Sequence, residues 1–203
     1  VGLDDAVARL AGDEARRLEQ REVESQKVRR AVDDELLERA EHPLSGVLAV
    51  DVGYGQLAWS LRTDERVTVL ERTNVRDLRP EDLPYRPEIV VADLSFISLR
   101  TVVPVLARVA SVGADLVLLV KPQFEVGRER VGSGGVVRDP DAWRDAVCGV
   151  VDACNQEGLT VGAVMASPLP GPAGNLEFPL HARLGPAVTT LELEAAIEEA
   201  RGI

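Results

Sequence analysis

From Val47 onward, short runs of Val, Leu, Ile and Ala alternate with stretches that have helical spacing. The predicted strands are Val47–Asp51, Val67–Glu71, Glu88–Asp93, Asp115–Lys121 and Leu159–Ser167, with a weaker one near Asn175–Ala182. The predicted helices are Gln56–Arg62, Leu99–Ala110 and Ala142–Glu157. Strands that alternate with helices are joined by right-handed crossovers and form a mostly parallel sheet. The sequence therefore predicts an α/β domain over residues 47–203.

Residues 1–46 differ in composition: many are charged, acids outnumber bases, and few are apolar. Val28, Val32 and Leu36 have helical spacing, but the apolar stripe that they form is narrow. Such a pattern is typical of a helix that is largely surrounded by water. We therefore expect an acidic helical arm over residues 1–46.

The net charge of −11, from 23 Lys and Arg against 34 Asp and Glu, argues against a chain that coats nucleic acid through its overall field. This negative net charge does not exclude a small basic patch over an active site. No apolar run approaches the roughly 18 residues of a membrane span, and the opening residues do not form a signal peptide. Cys148 and Cys154 have no His or acid cluster beside them. We expect buried thiols, no metal and a reducing cytoplasm.

Three of the clearest predicted strands end in a charged residue, namely Asp51, Asp93 and Lys121. Ligands of parallel sheets bind at the carboxyl ends of the strands. A charge at such a position is often only the N-cap of the next helix. Several charges at adjacent strand ends favour a site.

The segment Asp51-Val-Gly53-Tyr-Gly55 follows a strand, and its glycines allow backbone N–H groups to approach a ligand closely. Glu71, twenty residues after Asp51, ends the next strand and can accept hydrogen bonds from ribose hydroxyls. The third glycine of a dinucleotide site is absent. The pattern therefore favours S-adenosylmethionine over a nicotinamide cofactor.

Asp93 and Lys121 are expected at neighbouring strand ends, where the carboxylate can hold the ammonium in place. A lysine held in this way could orient or deprotonate a ribose hydroxyl, although a plain ion pair would have the same pattern. Two further loops, Gln123–Pro140 and Ser167–Gly174, are rich in Gly or Pro. Loops of the length of Gln123–Pro140 are often functional, frequently as lids.

Five stretches resemble the TlyA family, whose members also carry the name haemolysin and are similar to FtsJ-type ribose 2′-O-methyltransferases. They are VDVGYGQLAWSLR, VLERTNVRDL, VADLSFISL, LVKPQFEVGRERVG with the following GGVVRDP, and ASPLPGPAGNLEF. The resemblance covers about Val47 to Glu177. It implies a Rossmann-like, S-adenosylmethionine-dependent methyltransferase fold that acts on ribosomal RNA or a ribosomal subunit in the cytoplasm.

The resemblance also assigns roles to individual residues. Lys121 is the implied general base or hydroxyl-orienting residue, and Asp93 and Glu177 position it. Asp51 is the implied ligand of the cofactor ribose, and Asn74 is expected to lie against the adenine. The complete set of implied cofactor-binding residues is Asp51, Gly53, Asn74, Val75 and Asp93.

Three features of the family are not found in this sequence: the S4-like RNA-binding domain, the Ser-Arg-Gly…Lys-Leu stretch with the first catalytic lysine, and the first strand with its Gly-rich loop. Two registers follow. In the family register, Asp51 ends the second strand and the first strand is missing between Val47–Asp51 and Glu88–Asp93. In the alternative register, Val47–Gly55 acts as the first strand and loop, and Glu71 is the ribose acid.

The residues and the resemblance suggest four functions. The first is an rRNA ribose methyltransferase, and the second is an inactive truncated homologue that binds RNA, a nucleoside or protein. The third is a nicotinamide-dependent oxidoreductase, and the fourth is a membrane-lysing protein. The three-glycine fingerprint, an apolar span and a basic amphipathic helix are all absent from the sequence, which argues against the last two. Pro179 follows the GNLEF motif closely and predicts that the last strand is an edge strand or is broken.

Overall fold

The computed structural model describes residues 46–185 and 191–203. The predicted arm over residues 1–46 lies outside them, except for Gly46. The strands are β1 (Val47–Val50), β2 (Val67–Leu70), β3 (Ile89–Ala92), β4 (Asp115–Val120), β5 (Leu159–Val164) and β6 (Phe178–Leu184). The helices are α1 (Trp59–Arg62), α2 (Leu99–Val109), α3 (Pro122–Glu125), α4 (Pro140–Gln156) and α5 (Leu193–Arg201). Short 3-10 turns cover Val75–Asp77, Pro80–Asp82, Arg128–Arg130 and Ser133–Gly135.

The strands form two sheets. β1 and β2 pair in parallel, with Val47 opposite Val67. The other sheet has the order β3-β4-β6-β5, in which β3 and β4 are parallel and Ile89 is opposite Asp115. Within the described ranges β1 and β3 do not pair. The family register predicts this result, because it places a missing strand between them. Val91 of β3 is 73% exposed, so the face of β3 that carries this side chain is open to solvent.

β6 departs from the prediction of a mostly parallel sheet, because it runs antiparallel to both β4 and β5. The expectation that Pro179 marks an edge or a broken strand is wrong, since β6 has a neighbour on each side. The Pro179 carbonyl accepts a bond from the Met165 amide, so its nitrogen also faces β5. β5 ends at Val164, and the proline therefore removes a donor only where that ladder stops.

The main core lies between the four-stranded sheet and the helices α2 and α4. Phe178, Leu116 and Leu180 are fully buried on the sheet side, and Val103 and Val147 on the helix side. Burying a side chain of this size contributes about 1.5–3 kcal/mol. Alternate residues of β4 and β6 face this core, and this alternation determines which side chains face away from it.

Two features of the helices follow from the local sequence. Asp139 caps α4 by accepting a bond from the Asp141 amide, and Pro140 occupies the first turn, where no N–H is needed. α5 was not among the predicted helices, although Ala196, Ile197 and Ala200 form its buried stripe. A second, smaller apolar cluster joins the β1–β2 sheet to α2.

Candidate functional site

Lys121 follows β4 directly, and Asp93 follows β3 directly. Because β3 and β4 are adjacent parallel strands, their carboxyl ends lie side by side. The Lys121 Nζ lies 2.5 Å from Asp93 Oδ1 and 3.5 Å from Ser95 Oγ. The lysine side chain is 12% exposed, whereas that of Asp93 is 67% exposed. A mostly buried amine therefore meets a solvent-facing carboxylate at the strand ends.

Glu177 reaches the same place from the other side of β4. Val120 pairs with Phe178, so the residue after Val120 lies beside the residue before Phe178, and these are Lys121 and Glu177. Burial raises the pKa of the Glu177 carboxyl, the Lys121 ammonium lowers it and Asp93 raises it further. Lys121 is thus in direct contact with Asp93, and the strand register places Glu177 beside it on the other side.

The cofactor-binding candidates lie mainly at the carboxyl ends of β1 and β2. Asp51 is exposed, and its Oδ1 accepts a 2.6 Å bond from the Gly53 amide. A pocket beside it is lined by Ala49, Val50, Asp51, Gln56, Leu57, Val69 and Glu71. An acid at the rim of apolar walls can hold the ribose and the adenine of a nucleoside.

Asn74 and Val75 stand at the start of a 3-10 turn that follows β2. The Asn74 Oδ1 accepts a 3.1 Å bond from the Arg76 amide, so this side chain caps the turn. Neither residue lines the pocket beside Asp51, and Asp93 lies at the end of a strand in the other sheet. The five cofactor candidates therefore occupy three places rather than one.

The sequence profile of the FtsJ-like methyltransferases matches residues 34–184. The chain belongs to the FtsJ-like methyltransferase family. The described strands and helices are accordingly those of a Rossmann-like methyltransferase domain. Its β1 and β3 lack a strand between them within the described residues.

Relatives of this methyltransferase domain include proteins with named activities. It is 54% identical over 156 residues to the 16S/23S rRNA (cytidine-2'-O)-methyltransferase TlyA of Mycobacterium tuberculosis, covering 76% of this chain and 58% of the relative. It is 34% identical over 133 residues to the 23S rRNA (cytidine-2'-O)-methyltransferase TlyA of Campylobacter jejuni, covering 65% and 51%. The chain thus spans little more than half the length of these relatives.

Two solved structures share this fold. A Lactococcus lactis protein described as a hemolysin superimposes with a TM-score of 0.73 at 37% identity, over 77% of each chain. A Streptococcus thermophilus protein with the same description gives 0.72 at 35% identity, over 78% of this chain and 58% of that one. Among the helices of residues 46–185 and 191–203, none combines the length and the apolar composition that a membrane span requires.

Gly171 and Asn175 support Glu177 but are not among the predicted site residues. The Gly171 amide donates a 2.8 Å bond to the Asn175 carbonyl, which closes a turn just before Glu177. A Cβ on Gly171 would lie 2.5 Å from Glu177 Oε1, so any other residue at this position would require the Glu177 carboxylate to shift. The GPAGNLEF motif contained both residues, and their role became visible only through these contacts.

Asn175 also holds the Gly-rich loop that was expected to act as a lid. Its buried amide accepts a 2.9 Å bond from the Val137 N–H and donates a 2.9 Å bond to the Gly135 carbonyl. The Val137 carbonyl accepts another bond from Trp143 Nε1. The carboxyl-terminal half of the loop is therefore anchored beside the site.

Glu125, in the LVKPQFE motif, ties together the loops that carry Asp93 and Lys121. Its buried carboxylate accepts bonds from the Leu99 amide at 2.7 Å and the Ser98 hydroxyl at 2.6 Å. These groups begin α2, which follows the Asp93 loop. Arg100 adds a 2.6 Å bond to the Glu125 carbonyl. Glu125 thus acts as a cap for α2 from the end of the short helix α3.

Proposed function

We propose that this chain is the catalytic domain of an S-adenosylmethionine-dependent methyltransferase that modifies ribose 2′-hydroxyls of ribosomal RNA. The observation that carries the proposal is the position of the Lys121 amine, next to Asp93 and Glu177 at the end of the sheet. Relatives named as rRNA (cytidine-2'-O)-methyltransferases support the same reaction. Such a protein would act in the cytoplasm, where ribosomes are found.

The roles of the site residues follow from their contacts. Bound S-adenosylmethionine would supply a methyl group made electrophilic by its sulfonium sulfur. Lys121 Nζ would hold the 2′-hydroxyl in line with that group or, as the neutral amine, take its proton. The new O–C bond would form as the bond from the methyl carbon to the sulfonium sulfur breaks, and S-adenosylhomocysteine would leave. Asp93 would fix the Nζ position through its 2.5 Å contact. Glu177 would add a second carboxylate that balances the charge on the amine.

The residues at the ends of β1 and β2 fit a nucleoside. Among the described residues, the Gly53 amide is the hydrogen-bond donor to Asp51, which leaves carboxylate capacity for ribose hydroxyls. Val50, Leu57 and Val69 supply apolar walls to the neighbouring pocket. We assign the cofactor ribose to Asp51, with Gly53 shaping its loop. Asn74, Val75 and Asp93 remain candidates for the outer parts of the cofactor.

Aromatic side chains near the site suit an RNA substrate. Phe96 is 92% exposed, three residues after Asp93, and its ring centroid lies 5.3 Å from that of Phe124. Its φ of 62° places it in the left-handed region, which bulky residues seldom adopt. Exposed aromatic rings can stack on unpaired bases, which is how proteins commonly bind single-stranded RNA.

The proposal is tested by two measurements on the full chain. Isothermal titration with S-adenosylmethionine measures cofactor affinity. Transfer of a labelled methyl group to purified small and large ribosomal subunits, followed by mapping of the modified nucleotide, measures the reaction. We expect micromolar cofactor binding and 2′-O-methylation of one subunit or both. Absence of transfer to either subunit, with the cofactor bound, would refute the proposed substrate.

A second candidate function is supported by the sheet order. The cofactor candidates that follow β1 and β2 and the catalytic candidates at the ends of β3, β4 and β6 belong to two sheets that do not pair within the described residues. An inactive homologue that binds RNA, a nucleoside or another protein is therefore the alternative. Micromolar binding of S-adenosylmethionine would contradict this alternative, whereas no binding at millimolar concentration would favour it.

A further inference from the structure

Glu71 ends the strand next to Asp51, and it is the acid that the alternative register would use for the ribose. We propose that Glu71 is instead a positioning residue that holds the loop Asp51–Gln56 in the shape that cofactor binding requires. This inference rests on the proposed function for the identity of the cofactor. The two acids lie at the ends of adjacent strands, and we assign ribose binding to Asp51 and loop positioning to Glu71.

The first observation that supports a positioning role is a contact between Glu71 and the loop backbone. Glu71 Oε1 accepts a 2.7 Å hydrogen bond from the Gly55 amide, sixteen residues earlier in the chain. Gly55 has a φ of 73°, a conformation that places its N–H toward the acid at little steric cost for glycine. The bond therefore attaches the tip of the loop to the end of β2.

The second contact neutralises the charge of Glu71. The same oxygen is paired with the Arg62 guanidinium, which comes from α1 immediately after the loop. The Glu71 side chain is 10% exposed and that of Arg62 is 25% exposed. Charge-assisted bonds of low exposure are stronger than bonds at the surface. Glu71 is therefore already engaged by two donors from the protein itself.

A third set of contacts holds the loop from its outer side. The Tyr54 ring lies 4.5 Å from the Arg72 guanidinium and 5.7 Å from that of Arg62. The Arg72 amide donates a 3.0 Å bond to the Gly53 carbonyl, and Arg72 has a φ of 53°. Such a conformation is uncommon for a residue other than glycine, and here it places the Arg72 side chain over the ring.

Asp51 presents the opposite picture. It is exposed, and across the described residues its carboxylate receives a single hydrogen bond, from the Gly53 amide two residues away. A ribose hydroxyl can approach Asp51 without displacing a charged partner, whereas at Glu71 it would compete with Arg62. The two acids have different roles because Glu71 already binds a charged partner and Asp51 does not.

The first experiment compares two forms of the cofactor to test whether Glu71 contacts the ribose or only positions the loop. Isothermal titration compares S-adenosylmethionine with its 2′-deoxyribose analogue on the full chain and on three variants: Asp51→Asn, Glu71→Gln and Arg62→Gln. The wild type should prefer the ribose form. Asp51→Asn should lose that preference. Glu71→Gln and Arg62→Gln should each weaken both ligands about tenfold and retain the preference, and the double variant should add little more.

Loss of the ribose preference in Glu71→Gln would overturn the inference, because it would show that Glu71 contacts the 2′-hydroxyl. Unchanged affinity in both Glu71→Gln and Arg62→Gln would also overturn it. If the wild type bound neither ligand, the cofactor assignment under the proposed function would fail. The positioning role of Glu71 would then be tested by the next measurement, which needs no ligand.

That measurement is the amide signal of Gly55 in ¹⁵N–¹H NMR spectra of the ligand-free chain. Removing the acceptor in Glu71→Ala should shift this signal and increase its hydrogen-exchange rate about tenfold or more. Arg62→Gln should shift it as well, and Glu65→Gln, a change at an exposed acid, should leave it unchanged. A Gly55 signal that does not respond to Glu71→Ala would overturn the proposal.

Discussion

The Lys121 ammonium lies 2.5 Å from Oδ1 of Asp93, across the carboxyl ends of two adjacent parallel strands. The two residues differ in exposure, because the lysine side chain is nearly buried and the aspartate faces solvent. A substrate hydroxyl that approaches from the solvent side would therefore meet the carboxylate first and the amine behind it. This geometry makes Lys121 the residue whose removal should affect the chemistry most directly.

Lys121→Ala should abolish methyl transfer, with a rate at least about 100-fold below that of the wild type. The affinity for S-adenosylmethionine should stay the same, because Lys121 does not line the pocket beside Asp51. Labelled methyl transfer and isothermal titration measure the two quantities. Lys27→Ala, which removes the only other lysine of the sequence, is the matched control. Retained transfer in Lys121→Ala would refute the role assigned to this residue.

Glu177→Gln should stabilise the fold at neutral pH. Burial raises the pKa of this carboxyl, so its contribution to stability is fully present below the pKa of the unfolded chain and is lost as pH rises through the folded value. The gain from glutamine should therefore shrink as pH falls and vanish below about pH 4. Urea unfolding at several pH values measures it.

The same substitution at an exposed acid, Glu65→Gln, provides the control for Glu177→Gln. Its effect on the free energy of unfolding should be small at every pH. A Glu177→Gln variant that is less stable than the wild type at pH 7 would show that the attraction to Lys121 outweighs the cost of burial.

Glu125→Ala should destabilise the domain by about 1–3 kcal/mol, because it leaves the Leu99 amide and the Ser98 hydroxyl without their acceptor at the start of α2. Urea unfolding measures the loss. Glu129→Ala, at an exposed acid four residues later, should change stability by less than about 0.5 kcal/mol. Equal effects of the two changes would contradict the capping role of Glu125.

Asn175→Ala should release the Gly-rich loop from the site. The Val137 N–H and the Gly135 carbonyl would lose their partner, at a cost of about 1–3 kcal/mol. Hydrogen exchange at the Val137 amide should become about tenfold faster or more, and methyl transfer should slow. Asn155→Ala, at an exposed position of α4, is the control. If Val137 exchanged at the wild-type rate, the loop would be held by other contacts.

Much of the secondary structure could be predicted from local patterns. The β-branched run Val47–Asp51 and the capped helix Leu99–Ala110 agree with β1 and α2 to within a residue. Spacing of apolar side chains carries this information, because it reflects which face of each element is buried. The missed helix α5 has the same kind of stripe in a weaker form, made largely of alanine.

The direction of β6 could not be predicted in the same way. An alternating apolar pattern reports that a strand has a buried face, and it is the same for parallel and antiparallel neighbours. Pro179 was misleading for a related reason, because a missing donor is harmless where the partner strand has already ended. Both outcomes depend on pairing between segments that are far apart in the chain.

The family motifs, the alternation of strands and helices, and the charged residues at the strand ends can all be recognised in the amino-acid order. The position of Glu177 beside Lys121, and the binding of Glu71 by Arg62 and Gly55, became visible only in the folded chain. An acid's role depends on which donors reach it and on how much water surrounds it. Those partners come from other strands, whose register is set by long-range hydrogen bonds and packing.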